Sequence, residues 1–265
     1  MHVQYDARMS TRITAVVAYK GGVAKTTTVV NLAAAFAGSG RRVLIVDADP
    51  QGGVAPVLGI ADPDGGVALR DALLRGADLT VVETRGVAVA FGGAELAAAA
   101  VELPRSELPW HWALADALAR VEAYDEILID TPPGLGALTM VALVAAHRVI
   151  LPTTLDASSY RTLPEALNAI ELVRHHPAKR PLNPGLRLGG VLPTLVDLRS
   201  RLARDILDRL RSRSELRLLE PPIPARVAVR EAALEGHAVV TAAPSSPAAV
   251  AYRAVADCLL AEEGR

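Results

Sequence analysis

Two hydrophobic periods alternate along this chain. Short apolar runs bounded by turn residues recur at positions 13–18, 42–47, 87–91, 126–130, 148–152 and 186–192, and each has the length of a strand. The runs at 42–47, 126–130 and 148–152 are nearly unbroken Val, Ile and Leu, as in strands covered on both faces. Between the runs, apolar residues repeat at helical spacing over 25–37, 110–121, 163–175, 199–212 and 247–261. The alanine tract 95–101 adds a helix by propensity alone. This alternation predicts an α/β fold with a doubly wound, mostly parallel sheet flanked by helices. Residues 62–66 read as a surface loop and not as a domain boundary, because apolar periodicity resumes after them. The expected organisation is a disordered tail over 1–11 and one domain over 12–265.

Composition narrows the classes. The 265 residues are 51% hydrophobic and carry a net charge of −1, so attraction to nucleic acid or to anionic membrane must come from a local patch. Cys258 is the only cysteine, which removes a disulfide framework, a cysteine-rich zinc site and an iron–sulfur site built within one subunit. No apolar run is long and uncharged enough to span a bilayer, and Met1 to Arg8 lack the apolar core of a signal peptide. A cytoplasmic location is expected, with the first eight residues either an upstream start or a tail.

The first strand leads into Lys20-Gly21-Gly22-Val23-Ala24-Lys25-Thr26-Thr27, and helical periodicity starts at Thr26. Strand, glycine loop and helix together can aim backbone N–H groups and a helix N-terminus at phosphates. Lys25 would supply an ammonium and Thr26 a hydroxyl ligand for Mg²⁺. In isolation, Gly21-Gly22 is also an ordinary turn; its setting selects phosphate binding. The chain has only three lysines, Lys20, Lys25 and Lys179, and two of them lie in this loop. The second strand ends in Asp47-Ala48-Asp49-Pro50-Gln51-Gly52, where two carboxylates beside a phosphate site could position a metal and a water. A third aspartate, Asp130, ends the strand at 126–130 before Thr131-Pro132-Pro133-Gly134 turns the chain.

The loop resembles the deviant Walker A motif of the ParA/MinD superfamily, written KGGxxK[T/S], with Ala24 in place of the usual glycine. Alanine tolerates positive φ poorly, so strain is expected there. The order of P-loop, DxDPQ, Asp130-Thr131-Pro132-Pro133 and a late Leu219-Glu220-Pro221-Pro222-Ile223-Pro224 segment is similar to that of ParA/Soj-type partitioning ATPases, over nearly the whole chain. The resemblance implies ATP and Mg²⁺ as cofactors, bound by residues 20–27, with Thr26, Asp47 and Asp130 serving the metal. It further implies that Lys20, Lys25 and Asp49 serve catalysis, Asp49 through the attacking water, and that Pro224 and Arg226 lie against adenine. Lys20 is redundant beside Lys25 within one subunit, and the natural task left for it is to reach nucleotide across a homodimer interface.

The stretch 199–213 has Leu202, Ile206 and Leu210 on one helical face and arginines around the rest. A solvated helix with Asp–Arg pairs is the plain reading. The resemblance instead assigns Arg199, with Arg201, Arg204, Arg226 and Arg230, to nonspecific DNA binding through phosphates, in a nucleoid-associated protein stimulated by a ParB-like partner. Membrane attachment is not expected, because the C-terminal stretch is acidic near its tip. Three rivals stay open: an ATPase of this type that positions another cargo, a nucleotide-binding regulator with little hydrolysis, and a metabolic ligase or synthetase on the same P-loop.

Overall fold

The computed structural model describes residues 11–61, 66–107, 109–121, 124–175 and 181–264. The expected tail up to residue 10, most of the expected loop (62–65) and Lys179 lie outside the described residues. Strands β1 (Arg12–Val16), β2 (Val43–Asp47), β3 (Val82–Thr84), β4 (Val87–Ala90), β5 (Glu126–Asp130), β6 (Arg148–Thr154) and β7 (Arg187–Thr194) form one sheet in the order β3-β4-β2-β5-β1-β6-β7. All pairings are parallel except β3 with β4, a short antiparallel edge.

The helices are α1 (Lys25–Gly38), α2 (Val54–Val57), α3 (Val67–Arg75), α4 (Leu96–Glu102), α5 (Ala113–Leu118) and α6 (Ala137–Ala145) in the first part of the chain. They continue with α7 (Ala157–Arg174), α8 (Arg201–Arg211), α9 (Val227–Leu234), α10 (Val239–Ala242) and α11 (Pro247–Leu260). Alternation within the central strands splits the core in two. Ala15, Leu44, Val46, Ile127 and Ile129 point to the layer that holds α3 to α8. Val16, Val43, Ile45, Leu128 and Ile150 point to the layer of α1, α10 and α11. A sheet apolar on both faces is the arrangement that unbroken aliphatic runs require.

Two of the expected helices depart from their sequence bounds. Helix α7 begins at Ala157 and not at 163, because Asp156 Oδ1 accepts from Ser159 N at 2.9 Å and starts the helix six residues before Leu163. It then runs through Pro164, with Leu163, Ala166, Ile170 and Val173 buried to offset the lost hydrogen bond. The helix expected over 110–121 is instead a 3₁₀ turn, Trp110–Trp112, followed by the short α5.

Candidate functional site

Sheet register assembles the site. Val16 of β1 lies opposite Asp130 of β5, and Asp130 opposite Asp47 of β2, so the phosphate loop and both aspartates leave the sheet at one rim. Ligands of open α/β sheets bind at such carboxyl ends.

The loop from β1 to α1 has left-handed turns at Gly22 (φ 77) and at Ala24 (φ 63, ψ 37). For Ala24 that conformation costs about 1–2 kcal/mol, which glycine would not incur. The expected strain is present, yet the loop keeps its anchors. Ala24 O accepts from Thr28 N at 2.9 Å, and Val23 O accepts from Thr194 Oγ1 at 3.0 Å. A Cβ built on Gly21 or Gly22 would meet nothing within 4 Å, so this side of the loop borders open space.

Lys25 is buried, and burial lowers its pKa against the pull of Asp130 and Asp49. Thr26 Oγ1 donates to Asp130 Oδ2 at 2.5 Å. The other carboxylate oxygen, Asp130 Oδ1, is buried without a hydrogen-bond partner. Burial, reinforced by the charge of Asp47, pushes the Asp130 carboxyl up to about 8 against the Thr26 hydrogen bond and Lys25. An orphaned carboxylate oxygen beside a hydroxyl fits a hard divalent cation. Among the described residues no three His, Cys, Asp or Glu side chains cluster as a full metal cage. Such a donor set suits Mg²⁺, which keeps water and phosphate oxygens in most of its positions, and Thr26 and Asp130 could contribute to holding it.

The other two aspartates shape a loop. Asp47 Oδ1 accepts from Asp49 N at 3.1 Å and Oδ2 from Val54 N at 3.0 Å, so Asp47 ties the segment to the start of α2. Asp49 Oδ1 accepts from Gln51 N at 2.9 Å. Two glycines unnoticed in the sequence seat this loop. A Cβ on Gly53 would come 3.2 Å from Thr26 Oγ1, and one on Gly92 would lie 2.1 Å from Asp47 O. The doublets Gly52-Gly53 and Gly92-Gly93 were the available signal.

Lys20 stands apart from Lys25, at the rim, half-exposed, with Nζ 3.6 Å from Asp156 Oδ2. Pro224 and Arg226 line a concavity of about 490 Å³ that reaches the phosphate loop at Ala24 and Thr27. Its wall also includes Leu195, Val229, Tyr252 and Arg230, none of them singled out for the nucleotide in the sequence. Tyr252 is fully buried, with its hydroxyl 3.5 Å from Thr28 Oγ1 and its pKa pushed up to about 12 by burial.

The candidate DNA arginines line two concavities and helix α8. Arg199, Arg204 and Arg226 border a second concavity of about 800 Å³ with Asp197, Leu198 and Pro221. Arg201 lies 3.9 Å from Asp205 on the exposed face of α8, and Arg230 lines the concavity beside Ala24 and Thr27 instead. Arg226 borders both.

Residues 11–186 match the model of a family described as an AAA domain. A chromosome-partitioning ATPase Soj of Thermus thermophilus is 38% identical over 96% of this chain and 97% of its own. A sporulation initiation inhibitor protein Soj of Bacillus subtilis is 36% identical over 91% of this chain and 95% of its own. Among solved structures, a Mycobacterium smegmatis protein named cobyrinic acid a,c-diamide synthase, with bound ADP and magnesium, superposes with a TM-score of 0.82 at 37% identity. That match covers 96% of this chain and 97% of the other. The helices are all too short or too polar to cross a membrane among the described residues.

Proposed function

The chain belongs to the Soj/ParA family of chromosome-partitioning ATPases, and on that premise we propose that it is a DNA-partitioning switch that closes into an ATP-sandwich dimer. The dimer binds DNA nonspecifically, and a ParB-like partner stimulates its ATP hydrolysis. The observation that carries this reading is the contrast in burial between the two loop lysines. Lys25 is buried against Asp130 and Asp49, where it can neutralise phosphate within its own subunit. Lys20 is held at the exposed rim, where a second subunit can be reached.

ATP would lie with its phosphates along residues 20–27 and its base in the concavity bordered by Leu195, Pro224, Arg226 and Tyr252. Mg²⁺, held through Thr26 and Asp130, would offset charge on the β- and γ-phosphates. Asp47 keeps the 47–54 loop in place, and Asp49 orients the attacking water from that loop. Lys20 of each subunit neutralises charge developing on the phosphoryl group bound by the other, which makes dimerisation a condition of turnover. In the cell such a protein is nucleoid-associated.

A phosphate-release assay tests the reading. Turnover should be slow with ATP and Mg²⁺ alone and should rise when DNA and the ParB-like partner are both added. Turnover indifferent to both would remove the partitioning role, and stimulation by a partner from a protein assembly in place of a centromere-binding protein would reassign the cargo. A synthetase reading is favoured by the name of the Mycobacterium smegmatis relative. It requires ATP consumption that depends on a carboxylic acid and a nitrogen donor, so phosphate release driven by cobyrinic acid and ammonium would establish it.

A further inference from the structure

Asp197 and Arg199 form a tight local pair within the surface assigned to DNA. Asp197 Oδ1 accepts from Arg199 N at 3.0 Å and from Nε at 2.9 Å, and Oδ2 accepts from Nη2 at 2.7 Å. The guanidinium meets the carboxylate as a fork, the geometry in which it would also grip a phosphate. Hydrogen bonds from Arg199 hold the Asp197 carboxyl down at about 2, so it is charged at neutral pH. The neighbouring guanidiniums make their hydrogen bonds elsewhere, Arg204 Nη1 to Leu198 O at 2.8 Å and Arg226 Nη1 to Ala225 O at 2.8 Å, although the charge of Arg226 also favours the ionised Asp197.

The chain around this pair touches the nucleotide site residue by residue. Thr194 Oγ1 donates to Val23 O in the phosphate loop. Leu195, held at φ 53, lines the nucleotide-side concavity. Val196 N donates to Ile223 O at 2.9 Å, and Ala225 N donates to Val196 O at 3.0 Å, which pairs this segment with the loop that carries Pro224. Asp197 follows directly. A ligand seated between the phosphate loop, Leu195 and Pro224 therefore acts on backbone one to three residues from the carboxylate.

We propose that Asp197 is an internal stand-in for a DNA phosphate, occupying the Arg199 fork until nucleotide shifts the Thr194–Asp197 segment and frees Arg199 for DNA. The proposal rests on the DNA-binding reading and adds its regulation. An exposed ion pair is weak, so Asp197 is a competitor that DNA can displace at a modest free-energy cost and not a lock.

The test is fluorescence anisotropy on a labelled random-sequence duplex, titrated with the full chain with and without a slowly hydrolysed ATP analogue and Mg²⁺, at several salt concentrations. Asp197→Asn keeps an acceptor for Arg199 N and removes the charge. It should tighten nucleotide-free DNA binding about three- to tenfold at low salt and steepen the salt slope by about one phosphate neutralised. The ratio between nucleotide-bound and nucleotide-free affinity should shrink accordingly. Adding Arg199→Ala to Asp197→Asn should abolish the gain. Asp197→Ser is the second variant should the amide disturb the loop, with binding of a fluorescent ATP analogue as the check of folding. Unchanged or weaker DNA binding in both variants, or a gain that survives Arg199→Ala, overturns the proposal. Should Arg199→Ala alone leave wild-type DNA binding untouched, the DNA surface itself is misassigned, which is a separate failure.

Discussion

Ala24 carries a methyl group in a backbone conformation that favours glycine, and the helix of the phosphate loop starts from it. Ala24→Gly should raise the unfolding free energy by about 0.5–1 kcal/mol, the relief of left-handed strain less the extra freedom glycine gives the unfolded chain. Urea unfolding would show this as a higher midpoint at unchanged slope. Loss of stability would mean that the methyl packs against a neighbour by more than the strain costs. Lys25→Ala should abolish measurable ATP binding, since it removes the buried cation facing Asp130 and Asp49; ATP titration with retained affinity would refute the loop assignment. His147 gives a pH prediction remote from the loop. Its Nδ1 accepts from Ile13 N at 2.9 Å, so that nitrogen must be unprotonated there. Burial, with Arg12 and Arg148 adding repulsion, pulls its pKa below the ordinary 6.5. As pH falls, the unfolded chain protonates first, so the stabilisation is complete above about 6.5 and drains away as pH drops through the folded value. Stability measured from pH 7.5 to 5 should fall more steeply in the wild type than in His147→Gln. Parallel curves would contradict this. At this scale the sequence pointed to residues that sit in short motifs, such as Lys25, Thr26 and Asp130. It concealed Asp156, Thr194, Gly92 and Tyr252, whose roles arise only when distant segments meet.

Among elements, legibility followed the strength of the hydrophobic period. The central strands were readable because burial on both faces leaves few polar residues within them, as at Val43–Asp47 and Glu126–Asp130. The edge strand Val82–Thr84 was not, because its three residues lie partly exposed and carry no run. Helix α6 escaped notice for the opposite reason, being apolar almost all round and so without an amphipathic stripe. The short α2, α9 and α10 hold too few turns for a period to register. Helix α8 is capped by Ser200 through Ala203 N and buries Ala203, Ile206, Leu207 and Leu210, whereas Leu202, expected on the apolar face, is exposed with the arginines. Ser200→Ala should cost about 1 kcal/mol of stability. The double reversal Arg201→Glu with Arg204→Glu should leave the fold intact while lowering both DNA affinity and its salt slope, by about one unit for each phosphate the helix no longer neutralises. Random-duplex titrations identical to wild type would move the DNA surface off α8.

For the whole molecule, the sheet order puts β1, β5 and β2 side by side, and the phosphate loop, Asp130 and Asp47 converge on one rim as a consequence. The sequence order of motifs implied that convergence and an outer position for Lys20, but not the pairing of Lys20 with Asp156. A lysine paired in its own subunit by a half-exposed ion pair is available to a second subunit at little cost. A switch of this kind requires that ATP, through Lys20, join two chains before hydrolysis. Sedimentation velocity with a slowly hydrolysed ATP analogue and Mg²⁺ measures this directly. The wild-type chain of 27.8 kDa should shift to a dimer, while Lys20→Ala should bind the analogue and remain a monomer without stimulated turnover. A wild-type chain that stays monomeric with bound analogue, or a Lys20→Ala variant that dimerises and hydrolyses normally, would contradict the account.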